Sequence, residues 1–348
     1  MEKVQIISFI VCISILCISV NIHAEEDENT DRHKLNSWLS IAGKGELELL
    51  RQRIKPVKDD PTIRDYSTPS STSFLLSIDF EAQVSERISG VVAFEFDDVK
   101  KRFLVDEAIA KIELEKTKIR FGRGTLPFGE YHSRFITGSP VDFFEINEKN
   151  LTISRSLTDE IDLSLFAYNG KAKKVGADSR SVEWGISTEI MPTKRWTIGL
   201  GYVSDLADAD EISLEDTGNR YEKRVSGLAI HSTLEVDKFG FTTEYIAAIG
   251  EFKEFDTDKN KPRGWNFELT HFLITEKLEW SVRFAGGNEI EDEPHCQTGV
   301  VGTWHINNQA NVTLEYLQND YKIGLAEDDL EQTLDRSNQI AGRLEILF

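Results

Sequence analysis

Five basic residues stand around one turn-rich stretch of the chain: Arg120, Arg123, Arg134, Lys149 and Arg155. Arginine presents a planar fork that meets a carboxylate or phosphate at two points, and lysine adds a compact point charge. Gathered at a narrow place, such a set would favour an anionic solute. The same side chains would equally pair with Glu95, Asp97, Glu113, Glu130 or Glu145, and that structural reading stands beside the functional one. Tyr131, Phe135, Phe143 and Phe144 lie in the same stretch and read as anchors of a loop to a wall.

The elements around these residues set their positions. Ile119-Arg120-Phe121-Gly122 alternates apolar and polar as a strand does. Gly124, Pro127 and Gly129 then break the pattern, since neither a helix nor a central strand tolerates that cluster. Alternation resumes at Leu151-Thr152-Ile153-Ser154. The excursion at 124–149 is therefore expected to fold into the mouth or lumen of a β-barrel and to act as its constriction or gate.

The wall is legible elsewhere. Phe74, Leu76, Ile78 and Phe80 alternate with Ser77, Asp79 and Glu81, so one face of that strand meets water and the other an oily medium. About sixteen such segments run from Trp38 to Phe348, each near the ten residues that cross a bilayer at a tilt. Tight links such as Ser85-Glu86-Arg87 and Asn307-Asn308 alternate with long acidic stretches such as 205–222 and 320–337. Tight turns at one rim and long loops at the other predict an all-β, transmembrane antiparallel barrel, porin-like and without a plug domain. A soluble β-sandwich would use shorter strands and bury both inner faces. The terminal strand ends in Phe348, which resembles the aromatic signal that such barrels present to their assembly machinery.

Address and charge agree. An apolar run from Ile6 to Val20 behind Lys3 reads as a signal peptide spanning 1–24, with a periplasmic tail at 25–37 and the barrel at 38–348. The expected location is the outer membrane of a Gram-negative bacterium. A net charge of -20 argues against a nucleic-acid partner. Mean hydropathy of -0.34 suits a barrel in which only alternate side chains meet lipid. Outer-membrane lipid, a small solute and a further copy of the chain are the expected partners.

Enzyme chemistry finds no support. His231 and Ser232 are strand neighbours facing opposite sides, so they form no nucleophile–base pair. There is no G-x-S-x-G, HExxH or P-loop, and no catalytic residue, cofactor or metal set is assigned. The run from Asp256 begins like a calcium loop but has Lys261 where glycine is needed. The cluster Asp205, Asp208, Asp210 and Glu211 reads as a solvated loop face, and the lone Cys296 of the processed chain as a small loop-edge residue.

Val105-Asp106-Glu107-Ala108, Phe121 to Gly129 (FGRGTLPFG), Ser133-Arg134-Phe135-Ile136-Thr137 and Ser139-Pro140 followed by Glu145 together resemble the LbtU-type siderophore porin family. Ser139 stands where that pattern has Asp, and the acidic stretch reads Phe144-Glu145-Ile146-Asn147-Glu148 in place of a Gly-Glu pair. The resemblance implies outer-membrane passage or reception of a ferric siderophore without a plug. A general or phosphate-type diffusion porin is the alternative, and a non-transport barrel (adhesin or hydrolase) the second.

Overall fold

The computed structural model describes residues 33–57, 64–99, 101–209, 212, 220–256, 259–274, 277–326 and 332–348. The signal at 1–24 and most of the tail at 25–37 lie outside them. Residues His33–Asn36 of that tail form a short strand that pairs back on Ser40 and Ile41.

Sixteen strands form the wall: β1 (Leu39–Pro56), β2 (Ser71–Ser85), β3 (Ile88–Asp97), β4 (Arg102–Leu114), β5 (Thr117–Thr125), β6 (Asn147–Ser156), β7 (Ile161–Asn169) and β8 (Glu183–Thr193). They continue as β9 (Trp196–Val203), β10 (Gly227–Val236), β11 (Phe239–Ala248), β12 (Arg263–Ile274), β13 (Leu278–Asn288), β14 (Cys296–Asn307), β15 (Ala310–Asp320) and β16 (Leu334–Leu347). Each pairs antiparallel with its neighbour in sequence, and β16 pairs with β1 from Leu347 opposite Lys44 to Leu334 opposite Pro56. The sheet closes on itself and leaves no edge, as a wall standing in hydrocarbon requires.

The register sorts side chains into two populations. Phe121, Leu151, Leu165, Trp184, Ile186, Leu200, Leu228, Ile230, Phe267 and Phe284 project outward and are exposed. Glu46, His231, Glu244, Asn266, Glu268, Thr270, Arg283 and Glu315 project inward and are buried. An oily exterior over a polar interior inverts a soluble protein and fits a wall bathed in lipid. Trp38, Trp184, Trp196 and Trp304 are all exposed, as an interfacial girdle needs.

Closure is finished by the last residue. Gly43 donates its N–H to the Phe348 carbonyl at 2.7 Å, and Phe348 returns the bond to Gly43 at 2.9 Å. The Phe348 ring lies over Gly43, where any Cβ would collide with it. In β5, Gly122 adopts φ +141° against the Ala108 carbonyl, a conformation and a close approach that only glycine accepts. Two strands outrun the sequence expectation: β1 continues through Arg51, Arg53 and Lys55, and β16 begins at Leu334. Both extensions carry charge and so resemble loop.

Candidate functional site

Residues 126–146 turn into the barrel and run along its inner wall. Leu126, Phe128, Val141, Phe144 and Ile146 are buried against Phe166, Tyr168, Val203, Ala229 and Ile246, which belong to wall strands β7, β9, β10 and β11. Gly201 and Gly264 open the space: a side chain on Gly201 would strike the Phe128 carbonyl, and one on Gly264 would come within 2.6 Å of the Pro140 carbonyl. Tyr131 marks the bend, with φ +52°, and its hydroxyl ties back to the Phe144 carbonyl at 3.1 Å.

Three wall glutamates hold this segment at a three-residue repeat. Glu244 on β11 accepts the N–H groups of Glu130 (2.8 Å) and Tyr131 (3.0 Å). Glu268 on β12 accepts the Ser133 hydroxyl (2.7 Å) and the Arg134 N–H (3.0 Å). Glu315 on β15 accepts the N–H groups of Ile136 (2.6 Å) and Thr137 (3.1 Å). A loop that forms neither helix nor sheet must satisfy its backbone donors somewhere, and here inward carboxylates take them.

Arg283 on β13 ties these partners together. Its side chain is fully buried, 2.9 Å from Glu268. Nη1 donates to the carbonyls of Thr137 (2.8 Å) and Gly138 (3.0 Å) and to Gln297 (2.9 Å). Nη2 donates to the Ser133 hydroxyl, and the guanidinium stacks on Phe135 with 4.2 Å from its carbon to the ring centre. The charge is thus paired and its donors are used, the condition under which a buried ion pair is tolerated.

The five basic residues of the sequence do not form one group. Arg120 points inward, 3.6 Å from Glu107. Arg134 lies on the inserted loop, 3.5 Å from Glu279 and over the Phe272 ring. Arg123, Lys149 and Arg155 point outward, on the face of Phe121, Leu151 and Ile153. This corrects their expected pore-lining position: from outward Phe121, two residues on returns to the same face. His231 and Ser232 lie on opposite faces, Ser232 outward beneath the Trp196 indole N–H at 3.0 Å.

Sequence reasoning missed Glu244, Glu268, Arg283 and Glu315. Their only signal is an ionisable residue at an inward strand position, which many other residues share.

Nearer the long-loop rim, Asp205 and Asp208 are only 1% and 4% exposed, so the solvated reading of that cluster is overturned; Asp210 and Glu211 fall outside the described residues. Burial pushes the Asp205 carboxyl up to about 7, against N–H bonds from Ala207 and Val225. Burial also raises Asp142 to about 6, although Ser139 and Arg283 favour its charged form. Among the described residues no group of three or more His, Cys, Asp or Glu is placed to hold a metal ion.

No protein-family model matches the chain. A UPF0422 protein of Coxiella burnetii is 23% identical over 265 residues, which are 68% of this chain and 56% of that protein; the match thus spans little more than half of that relative. Among solved structures, the Acinetobacter baumannii outer-membrane channel DcaP is 12% identical with a TM-score of 0.61, over 94% of this chain and 100% of that one. Salmonella typhi OmpF, solved with daunomycin, gives 0.61 at 12% identity over 89% and 98%. An anion-selective porin from Comamonas acidovorans gives 0.62 at 8% identity over 89% and 99%. The sequence pattern, the oily exterior and these likenesses converge on one architecture, a sixteen-stranded porin-like barrel of the outer membrane.

Proposed function

We propose that this barrel passes small hydrophilic solutes, through the part of the lumen that the loop at 126–146 leaves open. The observation that supports this is the loop itself. It is held by wall carboxylates against β11 to β15, so it narrows the bore from one side. The arc β1 to β4 lies outside those contacts and presents Lys44, Glu46, Glu48, Asp79, Glu81, Glu95, Glu107 and Lys111 inward. Acids outnumber bases there, so a weak cation preference is expected. Liposome swelling with sugars of graded size tests passage. Swelling no faster than empty liposomes would reject the channel and favour an adhesin or hydrolase barrel.

A narrower reading, passage of a ferric siderophore, rests on the resemblance carried by FGRGTLPFG and the segments around it. The acidic arc argues for a neutral or cationic chelate over an anionic one. Uptake of labelled ferric chelate by a deletion strain under iron limitation separates this from general diffusion. Normal uptake in a strain without a second copy would reject the siderophore and leave the diffusion channel standing.

A further inference from the structure

The chain carries a net charge of -20, yet the charge on its lipid-facing surface is reversed. Read from the register, the outward positions of the wall strands hold eight basic residues and one acid, Asp320. Arg51, Arg53, Lys55 and Arg336 cluster where β1 meets β16, and Arg123 and Lys149 where β5 meets β6. Arg263 stands alone on β12. All seven lie toward the long-loop rim, and Arg155 alone lies toward the tight-turn rim.

Two of these contacts pair like charges. Lys55 is directly opposite Arg336, and Arg123 is directly opposite Lys149. Such pairs destabilise a sheet when nothing lies between them. Asp320 meets Arg336, and Asp65 lies 3.6 Å from Arg53. Among the described residues Arg51, Lys55, Arg123 and Lys149 have no ion-pair partner. The tight-turn rim carries its own cations within the turns, Arg87, Lys116, Lys194, Arg195, Lys238 and Lys277, as snorkelling at an interface allows. What sets the long-loop rim apart is that outward cations there stand directly opposite one another across the strands.

We propose that this rim is a docking surface for phosphate-bearing lipid headgroups of the outer leaflet, with Arg123–Lys149 and the Arg51–Lys55 stripe as its two contact sites. A phosphate between Arg123 and Lys149 converts a repulsive pair into a bridged one, with the arginine fork engaging two oxygens. The inference depends on the outer face meeting lipid and is independent of what the lumen passes.

The test places the full-length barrel in nanodiscs of phosphatidylcholine with a minority of phosphatidic acid, and native mass spectrometry reads the lipids retained after release. The expected result is enrichment of phosphatidic acid above its bulk fraction. Arg51→Gln, Lys55→Gln, Arg123→Gln and Lys149→Gln together should lower that enrichment about tenfold or more, since each cation near such a surface adds to the attraction. Arg155→Gln should leave it unchanged, and single-channel conductance should be unchanged in all variants. The double variant Arg123→Gln/Lys149→Gln gives a milder form of the same readout if the fourfold one fails to assemble. Retention in proportion to the bulk mixture, or enrichment that survives in the assembled variants, overturns the proposal.

Discussion

Glu315 grips Thr137 through both of its carboxylate oxygens. One accepts the Thr137 N–H at 3.1 Å and the other its hydroxyl at 2.7 Å, while the neighbouring Ile136 N–H shares the first oxygen. Glu315 is 1% exposed, so nothing replaces it when it is lost. Gln at this position keeps one acceptor and turns an N–H₂ toward the loop donors. The cost is about 1–3 kcal/mol per unsatisfied buried group. Glu315→Gln is therefore expected to free the loop near Thr137, raising open-channel conductance and its noise in planar bilayers. A conductance trace identical to wild type would mean that the other clamps suffice.

Glycine supplies the space that the clamps need. A Cβ on Gly264 would come within 2.6 Å of the Pro140 carbonyl and 3.2 Å of the Phe144 ring. The obstacle at Pro140 is backbone, so relief requires the loop to leave the wall. Gly264→Ala should lower unfolding stability by about 1–3 kcal/mol, as overpacking does. Gly302 provides the control, because its added Cβ meets only the Glu279 carbonyl, at 4.0 Å. Heat-modified gel mobility should fall to lower temperature for Gly264→Ala and stay in place for Gly302→Ala.

The two media around the wall account for what the sequence disclosed and what it hid. Strand number and tight turns were legible because alternation is a local signal with a period of two. The outer stripe of Phe74, Leu76 and Ile78 needs no knowledge of any partner. The ends of β1 and β16 were hidden because outward Arg51, Arg53 and Lys55 break the oily stripe where the wall leaves hydrocarbon. Arg123, Lys149 and Arg155 were misplaced by reading nearness to the excursion instead of counting from Phe121. The clamp residues are a different case. Glu315 lies 178 residues from Thr137, and no local pattern separates it from Glu345, whose carboxylate meets Asn311 on the same wall.

Asp142 gives the loop a pH dependence. Its carboxyl accepts the Ser139 N–H at 3.1 Å, and burial raises it from 3.8 to about 6. The folded loop therefore holds its proton more tightly than the unfolded chain does. Stability from this group is present at low pH and declines as pH rises from near 4 through 6, by up to about 3 kcal/mol. Limited proteolysis of the loop should accelerate across that interval and level off above it. Asp142→Asn should remove that part of the slope, and a slope unchanged in this variant would assign it to other carboxyls.

The inward and outward cations make opposite predictions for ion selectivity. Arg120 and Arg134 face the interior beside Glu107 and Glu279, whereas Arg123, Lys149 and Arg155 face outward. Removing an inward cation leaves its carboxylate partner unneutralised, so one negative charge is added to the lumen. At roughly 10 Å in water a unit charge contributes about 0.4 kcal/mol to a passing ion, about a twofold change in permeability ratio. Arg120→Gln and Arg134→Gln should each move the reversal potential in a salt gradient toward the cation limit. Arg123→Gln, Lys149→Gln and Arg155→Gln should leave it where it is, since the wall and its lipid separate them from the permeant ion. If an outward variant moves the potential as far as an inward one, the register does not decide which cations the solute feels.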